Sequence, residues 1–195
     1  LANIKSAAIE IFAEKGYHST KVSEIVAKVG VAQGTFYLYY EGKKPLFGAL
    51  LSDFLLLLVT TIAKWEPANL DTLEVVESEL REIGLHLAEV LLENKHLTRI
   101  FFREATMVDP KFDEMILEFY DTLVAILTNF NRTLFEKGLI KKMNFKLISI
   151  QTIGMVERII EEYIVTETIA DLEPLELVDH LLANFVTGTR KEIRT

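Results

Sequence analysis

The sequence predicts an all-α chain of about nine helices in two parts: an N-terminal domain over 1–47 and a larger helical body over 48–195. Apolar residues recur at helical spacing in almost every segment, and no stretch alternates with the period of two of a half-buried strand. Glycine, proline and capping residues fall where those apolar stripes start and stop. Charge divides at the same place. Residues 1–48 carry six Lys against four Glu, net +2, whereas the rest of a chain with net charge −8 sums to −10.

Ile4, Ala8, Ile11 and Phe12 make one face of a first helix, stopped by Gly16. Val22, Ile25, Val26 and Val29 make a second, very short helix ending at Gly30, and a third runs from Gln33 to about Tyr39. A fourth starts near Lys43, with Pro45 in its first turn where a missing N–H costs little. Its apolar run from Leu46 to Trp65 is interrupted by Ser52, Asp53 and Lys64, so it reads as a buried helix and no membrane contact is expected. Leu73, Val76, Leu80, Ile83, Leu87 and Val90, three and four apart, stripe the fifth.

A sixth helix spans about Lys95 to Thr106. Asp109-Pro110 reads as the cap and first residue of a seventh, striped by Phe112, Ile116, Phe119, Leu123, Ile126 and Phe130 and closed by Lys137-Gly138. Asn144 is the expected cap of an eighth, running to about Thr166. Pro174 opens the last, predicted to about residue 190, which carries Leu177, Val178, Leu181, Leu182, Phe185 and Val186.

The residue inventory excludes several chemistries. Without cysteine there are no disulfides, thiol nucleophiles, Cys-ligated zinc or iron–sulfur clusters, which fits a reducing cytoplasm. His18, His86, His96 and His180 are dispersed, with no His-Glu-x-x-His pair and no carboxylate–His cluster, so no metal site is expected. No Gly-x-Ser-x-Gly, P-loop or dinucleotide fingerprint occurs, and neither a cofactor nor enzymatic activity is expected. No secretory leader is visible.

The informative stretch runs from Thr20 to Tyr40. Two short helices meet at Gly30-Val31-Ala32, where Gly30 supplies the positive φ required after a helix end. The second of them is too short to fold on its own merits, so its purpose is to present an outer face. Gln33 can pair with adenine in the major groove, and Gly34 and Thr35 permit close approach to thymine methyls and backbone. Tyr37, Tyr39, Lys43 and Lys44 suit phosphate oxygens, and Thr20, Lys21 and Ser23 around the start of the second helix are further expected DNA contacts. Phe36 and Tyr40 are assigned to packing. An acidic body repels DNA, so the mildly basic head is the expected contact.

This segment resembles the DNA-binding domain of the TetR family of repressors. The matching residues are Phe12, Gly16, Tyr17, Thr20, Val22, Ile25, Gly30, Val31, Gly34, Thr35, Phe36, Tyr37, Tyr39, Lys43, Leu46 and Phe47. Ala32, where the family usually has Ser, removes a capping hydroxyl, and Gln33 replaces the common Lys or Arg. The resemblance implies a homodimer that binds palindromic operator DNA and is released by an effector held among the middle helices. It places the dimer interface on the last two helices, with Ile153, Gly154, Ile160, Leu181, Phe185 and Gly188 as the expected contacts.

The bulky apolar content of the body suits a small lipophilic effector. Trp65, Phe101, Phe102, Glu104, Tyr120, Leu123, Leu127 and Met155 are the expected pocket residues, with Met107 in the same apolar set. The alternative to a ligand-responsive regulator is a helical adaptor or dimerisation protein that no longer binds DNA.

Overall fold

A computed structural model describes residues 2–65, 70–105 and 108–189. Among them every regular element is a helix, with no strand. The helices are α1 (Ala2–Lys15), α2 (Val22–Val29), α3 (Gln33–Tyr37), α4 (Lys43–Ala63), α5 (Leu73–Glu93), α6 (Lys95–Glu104), α7 (Pro110–Glu136), α8 (Phe145–Ile160) and α9 (Pro174–Thr189). Thr106 and Met107 lie outside the described residues, as does residue 190, where the last helix was expected to end.

The helix ends are made by the residues that predict them. Gly30 stands at φ 75°, where its N–H donates to the Ala27 carbonyl at 3.2 Å and the Val31 N–H to Val26 at 3.1 Å. Gly138 repeats the arrangement after α7 at φ 77°, with Gly138 N–H on Phe135 and Leu139 N–H on Leu134, each at 2.9 Å. Both are Schellman closures, in which a residue free to adopt positive φ lets two otherwise orphaned carbonyls be bonded. Asp109 and Asn144 cap α7 and α8, accepting from Lys111 N–H at 3.0 Å and Leu147 N–H at 3.1 Å.

The end of α8 departs from expectation. Its α-helical hydrogen bonding stops at Ile160, and Glu161–Val165 form a π-helical turn. Thr166 N–H reaches back five residues to Glu161 at 2.9 Å, and Thr168 N–H to Glu162 at 2.9 Å. The wider turn buries the neighbours Ile164 and Val165 together.

The chain divides into two compact units, Leu1–Leu57 with Asn94–Glu118, and Leu58–Glu93 with Phe119–Thr195. The first therefore extends beyond 1–47, taking in more of α4, all of α6 and the start of α7. Its core is built on one face of α1 (Ile4, Ala8, Ile11, Phe12), with Ile25 of α2, Phe36 of α3 and Phe47 and Phe54 of α4. Phe47, 1% exposed, meets Phe12, Tyr17 and Phe112 at ring-centre distances of 5.7, 4.8 and 5.4 Å. Offset and edge-on contacts of this kind add to the area term for a buried ring.

In the second unit, Leu70, Val76, Leu134 and Ile140 form a buried cluster on which Leu73, Leu80, Phe130 and Phe185 pack. Helices α5 and α9 lie close enough that a Cβ at Gly84 would stand 3.0 Å from Val178, and Arg81 Nε donates to Asp179 at 2.6 Å. Helix α4 is long and apolar enough to cross a membrane by composition alone. Its Leu46, Phe47, Leu50, Leu51, Phe54, Leu55 and Leu58 are instead buried in the protein.

Candidate nucleic-acid interface

Helix α3 spends one side chain on the core and offers the others outward. Phe36 is fully buried, whereas Gln33 and Gly34 are exposed and Tyr37 and Tyr39 are about half exposed, at 51% and 52%. Thr35 is half-buried. The helix ends at Tyr37, two residues earlier than expected, and Tyr39 and Tyr40 N–H both bond the Phe36 carbonyl at 3.0 Å. Its N-cap, Ala32, provides no side-chain hydrogen bond, as a methyl must. An added Cβ at Gly34 would meet nothing within 4 Å, so this position leaves the backbone open to close approach.

Leu38 was missed by sequence reasoning. At 80% it is the most exposed large apolar side chain among the described residues, set between the two exposed tyrosines. Leu is commonplace in a helical pattern, and only the termination of α3 at Tyr37 shows that this one has no core to enter.

Around the start of α2, Lys21 and Ser23 are exposed, while Thr20 is 3% exposed and turns inward, its hydroxyl donating to the Gly16 carbonyl at 2.8 Å. Thr20 therefore shapes the turn. The Lys21 N–H donates to the Glu24 carboxylate at 2.8 Å, the acidic half of a capping box. Lys15 is ion-paired with the same Glu24, and together they hold that carboxyl below the usual range.

Lys43 is placed differently from the expectation of a phosphate contact. Its ammonium turns inward and donates to the carbonyls of Tyr17 at 2.5 Å, His18 at 3.2 Å and Thr20 at 2.8 Å. It also lies 4.3 Å from the centre of the Tyr17 ring, and burial pushes its pKa down. Lys44 is paired with Asp109, Lys28 with Glu10 at 2.6 Å and Lys5 with Asp53 at 2.5 Å. Among the described residues Lys21 alone of the six head lysines has no hydrogen-bond or ion-pair partner for its ammonium.

These features amount to two short helices joined by a glycine turn, the second presenting amide, small and phenolic groups beside the exposed Lys21. Residues 4–50 match the family model described as bacterial regulatory proteins, tetR family. The head matches the DNA-binding domain of that family.

The likeness extends beyond it. The fatty acid metabolism regulator protein of Bacillus subtilis is 27% identical over 191 residues, 95% of this chain and 93% of that protein. The HTH-type transcriptional regulator YdgC of Bacillus subtilis is 28% identical over 177 residues, 84% of this chain and 80% of that protein. Two solved structures share the fold. The fatty acid degradation regulator FadR from Bacillus halodurans superimposes with a TM-score of 0.80 at 22% identity, covering 98% of this chain and 96% of that one. The regulator FadR from Bacillus subtilis in complex with stearoyl-CoA gives 0.75 at 22%, covering 96% and 98%. Residues 4–50 thus carry the family match, and the chain as a whole shares the fold of these regulators.

The expected pocket residues fall in both compact units. In the first, buried Phe101 meets Phe54 in a tilted contact at 6.1 Å and Phe102 edge-on at 5.3 Å, while Glu104 accepts from the Tyr17 N–H at 2.7 Å and so is engaged with the head. In the second, Trp65 lies against Phe130 at 5.4 Å with its Nε1–H buried and without a partner among the described residues. Tyr120 donates to Glu157 at 2.7 Å, and Leu123 and Leu127, half-buried, continue the same face of α7. Met155, at 38% exposed, belongs instead to an outward stripe of α8 with Leu147 (52%), Ile150 (48%) and Gly154.

The expected interface residues divide as well. Gly154 and Gly188 are exposed, but Ile153, Ile160 and Leu181 are half-buried, and Phe185 packs on the monomer's own core cluster. On α9 the outward line is Leu175, Glu176, Asp179, His180, Ala183 and Gly188, along which an open depression runs between Glu173 and Ala183.

Proposed function

We propose that this chain is a homodimeric, cytoplasmic repressor that binds a palindromic operator and releases it when a long-chain acyl effector binds the body. The observation that carries the DNA-reading role is the face of α3. Gln33, Gly34, Tyr37 and Tyr39 stand outward over a single buried anchor, Phe36, on a head braced by the capped helix α2. Gln33 then reads adenine in the major groove, with Lys21, Ser23 and the tyrosines on backbone. Head lysines bound internally leave the surface weakly cationic, which favours selective over indiscriminate binding.

Two-fold operators call for two heads about one DNA turn apart. The apolar outward stripe of α8, with Leu175 and Gly188 on α9, suits a self-complementary contact between two copies. The acyl effector is supported by the stearoyl-CoA held by the Bacillus subtilis FadR and by the apolar side chains of this body.

Binding of the protein to its own upstream DNA, against a scrambled duplex and across salt concentrations, tests the reading. Tight binding to the promoter alone with dimer stoichiometry is the expected result. Equal weak binding to both duplexes contradicts it. Long-chain acyl-CoA should then weaken operator binding about a hundredfold, a coupling of about 3 kcal/mol. Equal effector affinity with and without operator would remove the coupling.

A further inference from the structure

The five-residue turn between α1 and α2 is gripped from two sides. From α6, the Glu104 carboxylate accepts the Tyr17 N–H at 2.7 Å. Its other oxygen lies 2.7 Å from where a Cβ at Gly16 would stand, so a side chain there would collide with it. From the first turn of α4, the Lys43 ammonium donates to the carbonyls of Tyr17, His18 and Thr20. An ammonium has three N–H donors, and three acceptors within the protein use all of them. Both backbone polar groups of Tyr17 are thus held by opposite charges, while its ring, 8% exposed, is fixed between Phe12, Phe47 and the Lys43 cation.

We propose that Glu104 and Lys43 are positioning residues for operator reading: they clamp the Gly16–Thr20 turn and so set the attitude at which α2 and α3 meet DNA. The turn runs directly into the N-cap of α2, and the Schellman closure at Gly30 carries α2 into α3. A displacement of the turn is therefore delivered to Gln33 and Tyr37 with little slack in between. Base-edge hydrogen bonds depend on direction and distance, whereas attraction to phosphate is tolerant of both. Loosening the clamp should cost selectivity and leave non-specific binding in place. The proposal rests on the DNA-reading role above.

The test compares wild type, Glu104→Ala, Glu104→Gln and Lys43→Met for operator and scrambled DNA across salt. Glu104→Ala should lose about tenfold in operator affinity, with scrambled binding and the salt slope unchanged. Glu104→Gln, whose amide oxygen still accepts from Tyr17, should stay within about twofold of wild type. Lys43→Met should lose selectivity without changing the slope, because no phosphate contact is removed. A slope shallower by about 0.9 per head would assign Lys43 to phosphate and overturn its part in the clamp.

Operator selectivity at the wild-type level in Glu104→Ala overturns the proposal outright. Wild-type protein that binds neither duplex overturns the DNA-reading role and the proposal with it. Should a variant fail to fold, amide exchange in wild type decides. Tyr17 N–H is expected to be protected as strongly as the interior of α1, and exchange at the rate of an open loop would show that no clamp exists.

Discussion

The Tyr120 hydroxyl donates to the Glu157 carboxylate at 2.7 Å, bridging α7 and α8 where both side chains are only half-buried. Burial first, and then this carboxylate, pushes the phenol's pKa well above its ordinary value. An acid whose folded pKa is raised gives up stability as pH climbs through the unfolded value near ~10, because the unfolded chain sheds the proton and the folded one keeps it. In an alkaline absorbance titration Tyr120 should ionise last, and Tyr120→Phe should flatten the alkaline fall in stability. At neutral pH the substitution should cost about 1.5–3 kcal/mol in urea unfolding, as expected for a hydrogen bond to a charged group.

Gly16 and Gly30 share a left-handed backbone but differ in surroundings. A Cβ at Gly30 would meet nothing within 4 Å, and one at Gly16 would collide with Glu104. Gly30→Ala should therefore cost only the backbone term, about 1–2 kcal/mol, and Gly16→Ala clearly more. Urea midpoints give the comparison directly. In a Glu104→Ala background the two penalties should become equal.

On the reading surface, Gln33→Ala should relax preference at one base pair, costing about 1–3 kcal/mol there and little elsewhere. Lys21→Ala should weaken binding to every duplex alike and make the salt slope shallower by about 0.9 per head. A competition series over single-base operator variants separates the two behaviours.

Asp109 is held below the ordinary carboxylate range by its ion pair with Lys44 and, less, by the Lys111 N–H. A lowered folded pKa contributes stability above the unfolded value near ~4, which is lost as pH falls through the folded one. Asp109→Asn should be less stable than wild type at pH 7, and the gap should close as the solution is acidified. A gap that persists at low pH would place the effect in the N-cap hydrogen bond instead.

Ile150→Glu should convert the proposed dimer to monomer in analytical ultracentrifugation and lower operator affinity with it, while leaving the helical content intact. Phe185→Ala should instead lower stability by about 3–5 kcal/mol or somewhat less for a half-buried ring, since that residue packs within its own chain. A dimer unaffected by Ile150→Glu would move the interface off the α8 stripe.

Where sequence was sufficient, the determining groups were neighbours in the chain. Asp109-Pro110 and Gly138 mark both ends of α7 because cap and closure act over three to five residues. The head was legible for the same reason, from Gly16 through Gly30 to Phe36. Lys43 was not, because the direction of a flexible side chain depends on three carbonyls some 23 to 26 positions earlier. Glu104 pairs with an N–H 87 residues away, so its composition suggested a pocket while its geometry serves the head. The π-helical turn after Ile160 was hidden for another reason. Its residues fit an ordinary helix, and the burial of Ile164 and Val165 side by side is a tertiary demand.

Leu38 stands in water whenever the head is alone. Pressed against a DNA groove, it would release its hydration shell, and burial of apolar surface carries a negative heat-capacity change. The enthalpy of operator binding should thus grow more negative as temperature rises, and Leu38→Ser should make that dependence shallower, giving a calorimetric signature that polar contacts alone do not produce.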